Sequence, residues 1–165
     1  MKILVSGGTG FLGSKIVHNL HKIGHQITIL VRKSSETIDI INKDISFVYY
    51  TDLNIEISKN NYEAIFFCAT KYSYDKDKVI ELLDANLILP LNLLKAAVNN
   101  KVKYFINIDT LVDDNINDYS MSKSNLRYWL KKFDNSINIV NIRIDHFFGP
   151  GDKSFKFINS MIESL

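Results

Sequence analysis

Short apolar blocks alternate with amphipathic stretches along the whole chain. Lys2–Ser6 is an apolar run of strand type, and Gln26–Val31, Ile45–Tyr50, Ala64–Cys68, Lys103–Ile108 and Ile137–Ile144 share its character. Blocks this short, bounded by turn residues and rich in branched side chains, predict strands. Ile16, Val17, Leu20 and Ile23 line one side of a stretch that starts at Ser14, and Gly24 closes it with a residue that tolerates a left-handed backbone. Further helical stretches are expected around Thr37–Asn42, from Asp75 to Val98 with a kink at Pro90, from Tyr119 onward, and from Phe155 to Leu165. The part from Leu82 to Val98 is apolar nearly all round and so needs cover on both sides. Leu126, Trp129, Leu130 and Phe133 are expected to share the inward face of the Tyr119 helix. This alternation predicts an α/β fold with one doubly wound parallel sheet.

The first strand runs into Gly7-Gly8-Thr9-Gly10-Phe11-Leu12-Gly13, and a helix follows. Strand, glycine turn and helix in this order form the context in which a backbone approaches a pyrophosphate closely and a helix N-terminus offers it free N–H groups. A Rossmann-type dinucleotide-binding domain over residues 1–165 is the expectation, with Gly7, Gly10, Phe11 and Leu12 among its cofactor contacts. NAD binding calls for a carboxylate at the end of the second strand, about 20 positions past the glycine loop. Here Val31 is followed by Arg32, Lys33 and Ser34, two cations and a hydroxyl that suit a 2′-phosphate. NADP is therefore expected over NAD. Ligands of such sheets bind beyond the carboxyl ends of the strands, where Asp52, Ala69, Thr70, Thr110, Asp145 and His146 fall.

Tyr119 and Lys123 stand at i and i+4, on one helix face. An ammonium beside a phenol favours the phenolate, whose ordinary pKa is about 10. A shift of about 3 units corresponds to about 4 kcal/mol of differential stabilisation. The pair is expected to exchange a proton beside a bound coenzyme.

Composition narrows the class. At 165 residues, 46% hydrophobic and 23% charged, the chain suits one domain with a substantial core. A net charge of +2, with the charges scattered, gives no case for a nucleic-acid partner. Cys68, the single cysteine, reads as a small core hydrophobe; it excludes an internal disulfide and fits a reducing compartment. No segment is long enough to span a bilayer, and glycines interrupt the N-terminal run too early for a signal peptide, so a cytoplasmic location without a membrane partner is expected. No metal site is expected.

The set Gly7-x-x-Gly10-x-x-Gly13, Asp52-Leu53, Ala69, Asn86, Thr110, Tyr119-x-x-x-Lys123, and Arg143 with Gly149-Pro150-Gly151 resembles the extended, nucleotide-sugar-modifying branch of the short-chain dehydrogenase/reductases. The resemblance implies Tyr119 as general acid/base, and Lys123 as the residue that binds the nicotinamide ribose and tunes the phenol. It implies Thr110 as a hydrogen-bond partner of the reacting sugar oxygen, Asp52 and Leu53 at the adenine, and Asn86 as a helix-organising residue. Dehydratases of this branch carry an acidic pair after the threonine, where this chain has Leu111 and Val112; Asp113 and Asp114 read as a solvated loop. With Asp145-His146-Phe147-Phe148, the short stretch from Thr110 to Tyr119 looks like deoxysugar 4-ketoreductases of the CDP-abequose synthase type. A nucleotide-sugar 4-epimerase and a non-catalytic dinucleotide-binding remnant stay open beside that reading. Members of the branch continue well past the Gly-Pro-Gly turn into a region that grips the nucleotide sugar, so most of that region is expected to be missing here. A homodimer through the long helix and the Tyr119 helix is the partner arrangement the resemblance favours.

Overall fold

A computed structural model gives the fold and describes residues 1–32, 44–50, 53–72, 75–145, 147–152, 160–162 and 164. Six strands, β1 (Lys2–Ser6), β2 (Gln26–Val31), β3 (Ser46–Tyr49), β4 (Ala64–Phe67), β5 (Tyr104–Thr110) and β6 (Asn138–Ile144), form one sheet in the order β3-β2-β1-β4-β5-β6. Every pairing is parallel. The chain turns from one half of the sheet to the other between β1 and β4, and that switch point is where such sheets open a crevice. The predicted doubly wound α/β sheet is the observed one, strand for strand.

Side chains alternate across each strand, so the two faces carry separate cores. On one face Leu4, Leu30, Ile65, Phe67 and Phe105 pack with Leu93, Leu94, Ala97, Leu126 and Leu130. On the other, Ile3, Val5, Ile27, Ile29 and Val31 pack with Val17 of α1 (Phe11–Lys22). Helix α2 (Leu53–Asn60) was not expected; its periodicity is short, and only Ile57 is buried in it. The expected stretch around Thr37–Asn42 and most of Phe155–Leu165 lie outside the described residues.

The long helix differs from its expectation. It consists of a 3-10 turn (Lys76–Lys78), α3 (Val79–Leu83), a π-helical turn (Asp84–Ile88) and α4 (Leu89–Asn99). Pro90 has no N–H to give the Asn86 carbonyl, and the ladder widens immediately before it instead of bending at it. The wide turn shifts the helical phase between α3 and α4. Leu93, Leu94, Ala96 and Ala97 are buried, while Ile80 and Ile88 face outward.

Helix α5 (Asp118–Leu130) begins with a capping box, in which the Asn117 side chain accepts from Ser120 N–H and the Ser120 hydroxyl accepts from Asn117 N–H. Leu126 and Leu130 are buried as expected, and Phe133 packs against their cluster. Trp129 does not join them: it is 44% exposed and lies edge-on to Tyr128. Ten residues past Tyr119, it stands about 80° of helical rotation away from it. No helix among the described residues is long and apolar enough to cross a membrane.

Phe105 is fully buried where the sheet meets α4 and α5. Phe105→Ala is expected to lower the unfolding free energy by about 3–5 kcal/mol in urea denaturation, with the cavity it leaves as the cause.

Candidate active site

The carboxyl ends of β1, β2, β4, β5 and β6 open into one cleft of about 930 Å³. Gly7, Gly10, Phe11, Leu12, Arg32, Ala69, Thr70, Thr110, Tyr119 and Lys123 all line it. Leu53 does not; it starts α2 and packs half-buried against the core. Lys33, Ser34, Asp52 and His146 lie outside the described residues.

The glycine loop is built for close approach. Gly7 has a φ of +79°, and a Cβ on it would run into the backbone of Ala69. A Cβ on Gly13 would collide with the Gly7 carbonyl, so the helix start sits directly against the turn. Gly10 caps α1 without any side-chain hydrogen bond, which leaves the first-turn N–H groups of α1 without a side-chain cap. This cradle fits a pyrophosphate. Phe11 stacks on Phe147 at 5.9 Å.

Thr110 ends β5 and Tyr119 sits in the first turn of α5. The hydroxyls of Thr110 and Thr70 lie on the Tyr119 hydroxyl's side of the cleft and favour its ionised form. Burial pushes the phenol above its ordinary value; the two threonines pull it back, and the Asp109 carboxylate adds to the rise. Lys123 is only 2% exposed. Its ammonium donates to the Ile108 carbonyl at 2.6 Å and lies 5.8 Å from the Phe67 ring centroid. Burial brings it down to about 8, against the attraction of Asp109 and Cys68.

The expected activation of the phenol belongs to a site with its coenzyme bound, whereas these directions are those of the chain alone. In the free chain burial outweighs the charges, so the phenol keeps its proton more firmly than an exposed tyrosine does. The lysine is spent on a backbone carbonyl.

Asn86, expected to organise its helix, is fully buried in the π turn and uses its whole amide. Its Oδ1 accepts from Lys71 N–H at 2.8 Å and from the Thr70 hydroxyl at 3.2 Å. Its Nδ2 donates to the Lys71 carbonyl at 2.8 Å and to Ser122 Oγ at 3.0 Å. One side chain thus fixes the loop after β4 against α5 and holds Thr70 at Tyr119.

The model of the NAD dependent epimerase/dehydratase family matches residues 3–165. The chain belongs to that family. It is 25% identical over 177 residues to CDP-abequose synthase of Salmonella typhimurium, covering 99% of this chain and 58% of that protein. It is 29% identical over 181 residues to UDP-glucose 4-epimerase of Vibrio cholerae, covering 92% of this chain and 53% of that protein. The crystal structure of the Bordetella bronchiseptica enzyme WbmG in complex with NAD superposes with a TM-score of 0.84 at 22% identity, over 99% of this chain and 58% of that one. The chain therefore spans somewhat more than half the length of these relatives.

Within this member of the epimerase/dehydratase family, several residues escaped the sequence reading. Tyr50, Lys71, Glu81, Asp84 and Phe147 also line the cleft, and Lys71 pairs with Glu81. Cys68 lines it too, just beyond β4, with its thiol pushed up to about 12 by burial. Tyr72 lays its ring 4.9 Å from that of Tyr119. Asp114 is the exposed loop residue expected, and it also accepts from the Arg127 guanidinium at 2.9 Å. Arg143 donates to the Thr110 carbonyl at 3.0 Å.

Two outcomes test this geometry. Asn86→Ala is expected to lower stability by more than about 2 kcal/mol in chemical denaturation, since it strips partners from buried groups of Lys71 and Ser122. Lys123 binds its proton less tightly in the fold, at about 8, than the ordinary value of 10.5 that serves for the unfolded chain. Between those values the unfolded chain holds the extra proton, so stability contributed by this group rises with pH. Lys123→Met should flatten that rise in denaturation curves collected across the window.

Proposed function

We propose that the protein is an NADP-dependent oxidoreductase that reduces the 4-keto group of a nucleotide-linked deoxysugar. The observation that carries this reading is the meeting of the Thr70, Thr110 and Tyr119 hydroxyls in the glycine-lined cleft, with the buried Lys123 on the same helix face. When bound, a reduced nicotinamide dinucleotide supplies the hydride. Tyr119 donates its proton to the alkoxide oxygen that develops as the carbonyl is reduced. Thr110 donates a hydrogen bond to the same oxygen. A phenol raised above its ordinary value by burial suits this direction, because it arrives protonated. The Gly7–Gly13 turn and the start of α1 hold the pyrophosphate.

Arg32 in the cleft supports NADP, and the sequence places Lys33 and Ser34 next to it without a carboxylate. WbmG, a neighbour in fold, was solved with NAD. Arg32→Ala separates the cofactors: NADPH affinity measured by fluorescence titration is expected to fall about tenfold, with NADH affinity little changed. Equal losses for both would remove the 2′-phosphate role.

Similarity to CDP-abequose synthase over nearly the whole chain supports the ketoreductase reading, and similarity to UDP-glucose 4-epimerase keeps a 4-epimerase beside it. NADPH oxidation with a 4-keto-6-deoxy nucleotide sugar is the expected activity, and Tyr119→Phe should reduce it by about 10²–10⁴-fold. Epimerisation without net cofactor consumption would assign the rival reaction. Binding without any turnover would assign a dinucleotide-binding role.

A homodimer through α3, α4 and α5 belongs to the same proposal. Ile80 on α3, Ile88 in the π turn, and Met121, Tyr128 and Trp129 on α5 place exposed apolar surface along this side. A monomer in sedimentation at micromolar concentration would overturn it.

A further inference from the structure

The mechanism above leaves unused an ion-pair system one turn behind Lys123. Arg127 continues the i, i+4 ladder of Tyr119 and Lys123 along α5, each step turning about 40°, so it neighbours Lys123 on the helix surface. Its Nε donates to Asp109 Oδ2 at 2.7 Å, and its Nη1 donates to Asp114 Oδ1 at 2.9 Å. Asp109 is the residue before Thr110, and its side chain is 0% exposed. The same carboxylate accepts from Thr110 N–H at 2.8 Å and from Asn141 Nδ2 on β6 at 2.7 Å. Asn141 Oδ1 in turn accepts from Asn107 Nδ2 at 2.6 Å.

A buried carboxylate is retained at a large desolvation cost, and only good geometry with several donors offsets it. Here the donors come from the next residue of the strand, the neighbouring strand and the helix. Each one ties a different element to the position beside Thr110. Arg127 is planar and forked, so it fixes rotation as well as distance. It joins Asp109 on the strand to Asp114 in the connecting loop, and thereby spans the chain between the two hydroxyl-bearing residues.

Three charged or titratable groups act on the Lys123 ammonium: Asp109 on β5, Cys68 beyond β4, and Arg127 on its own helix. Asp109 is the fully buried anion among them, whereas Arg127 opposes the ammonium charge.

We propose that Asp109 and Arg127 act as a positioning pair for Thr110, Tyr119 and Lys123: the pair sets the register of α5 against β5, and Asp109 supplies the buried negative charge that balances Lys123. The proposal rests on reading those three residues as the reactive set, but its test needs neither dinucleotide nor sugar.

The experiment follows the Lys123 side chain by NMR in the full chain labelled with ¹³C-lysine, with the Lys123 signal identified by its loss in Lys123→Met. In the unsubstituted protein the midpoint is expected at about 8. Asp109→Asn is expected to lower that midpoint by about half a unit or more, a threefold or greater loss of proton affinity. A merely structural pair predicts the opposite sign, because loosening the site hydrates Lys123 and carries it toward 10.5. An unchanged or raised midpoint therefore overturns the proposal. If Asp109→Asn does not fold, the double variant Asp109→Asn/Arg127→Lys keeps a cation on α5 for Asp114 and removes only the buried anion, so it is read by the same sign: a lowered midpoint supports, an unchanged or raised one overturns. Absence of sugar reduction in the unsubstituted protein would sink the functional reading alone and leave this result standing.

Discussion

The hydrogen bond from Lys123 to the Ile108 carbonyl is the interaction on which the site depends. It carries a cation from the middle of a helix into the end of a strand, across a space with almost no solvent. Once that link exists, Tyr119 one turn earlier must fall beside Thr110, two residues further along the strand. The link also sets the order in which the two groups titrate. Burial pulls the lysine down and pushes the tyrosine up, so on raising the pH the amine gives up its proton before the phenol does. The tyrosine is thereby kept protonated, as the proposed carbonyl reduction would require.

A second tie works from the opposite side. The π turn turns the Asn86 amide inward, and four hydrogen bonds from that amide hold the β4 loop to α5. Interrupted helical ladders recur near functional sites because they redirect one side chain without ending the helix. Here the redirection places Thr70 opposite Thr110, with the phenol between them.

The sheet was legible because β1, β2, β4 and most of β5 are buried on both faces and read as near-continuous apolar blocks, while the edge strands β3 and β6 keep enough branched or aromatic side chains to read as strands although they are half exposed. The glycine loop was legible because a close backbone approach leaves few alternatives to glycine. Trp129 misled because an apolar residue near a buried face was taken to belong to it, although helical phase puts it outside. Asn86 was read by resemblance as an organising residue, but its four partners could not be read, since the π turn that aims it follows from a proline four positions later. Asp109 and Arg127 were invisible as a pair because they lie 18 residues apart and on different elements. Long-range polar geometry leaves little trace in local periodicity, and this is the part of the site that only the fold displays.

Cys68 gives the molecule an internal gauge. It is the chain's lone sulfhydryl, it borders the cleft, and its raised value leaves almost no thiolate at neutral pH. Alkylating reagents react with the thiolate, so the free protein is chemically quiet toward them. A reagent that does reach this sulfur has come in by way of the cleft, and whatever fills the cleft blocks the way. Occupancy can therefore be footprinted on a single atom only at alkaline pH, where the thiolate forms and access through the cleft limits labelling.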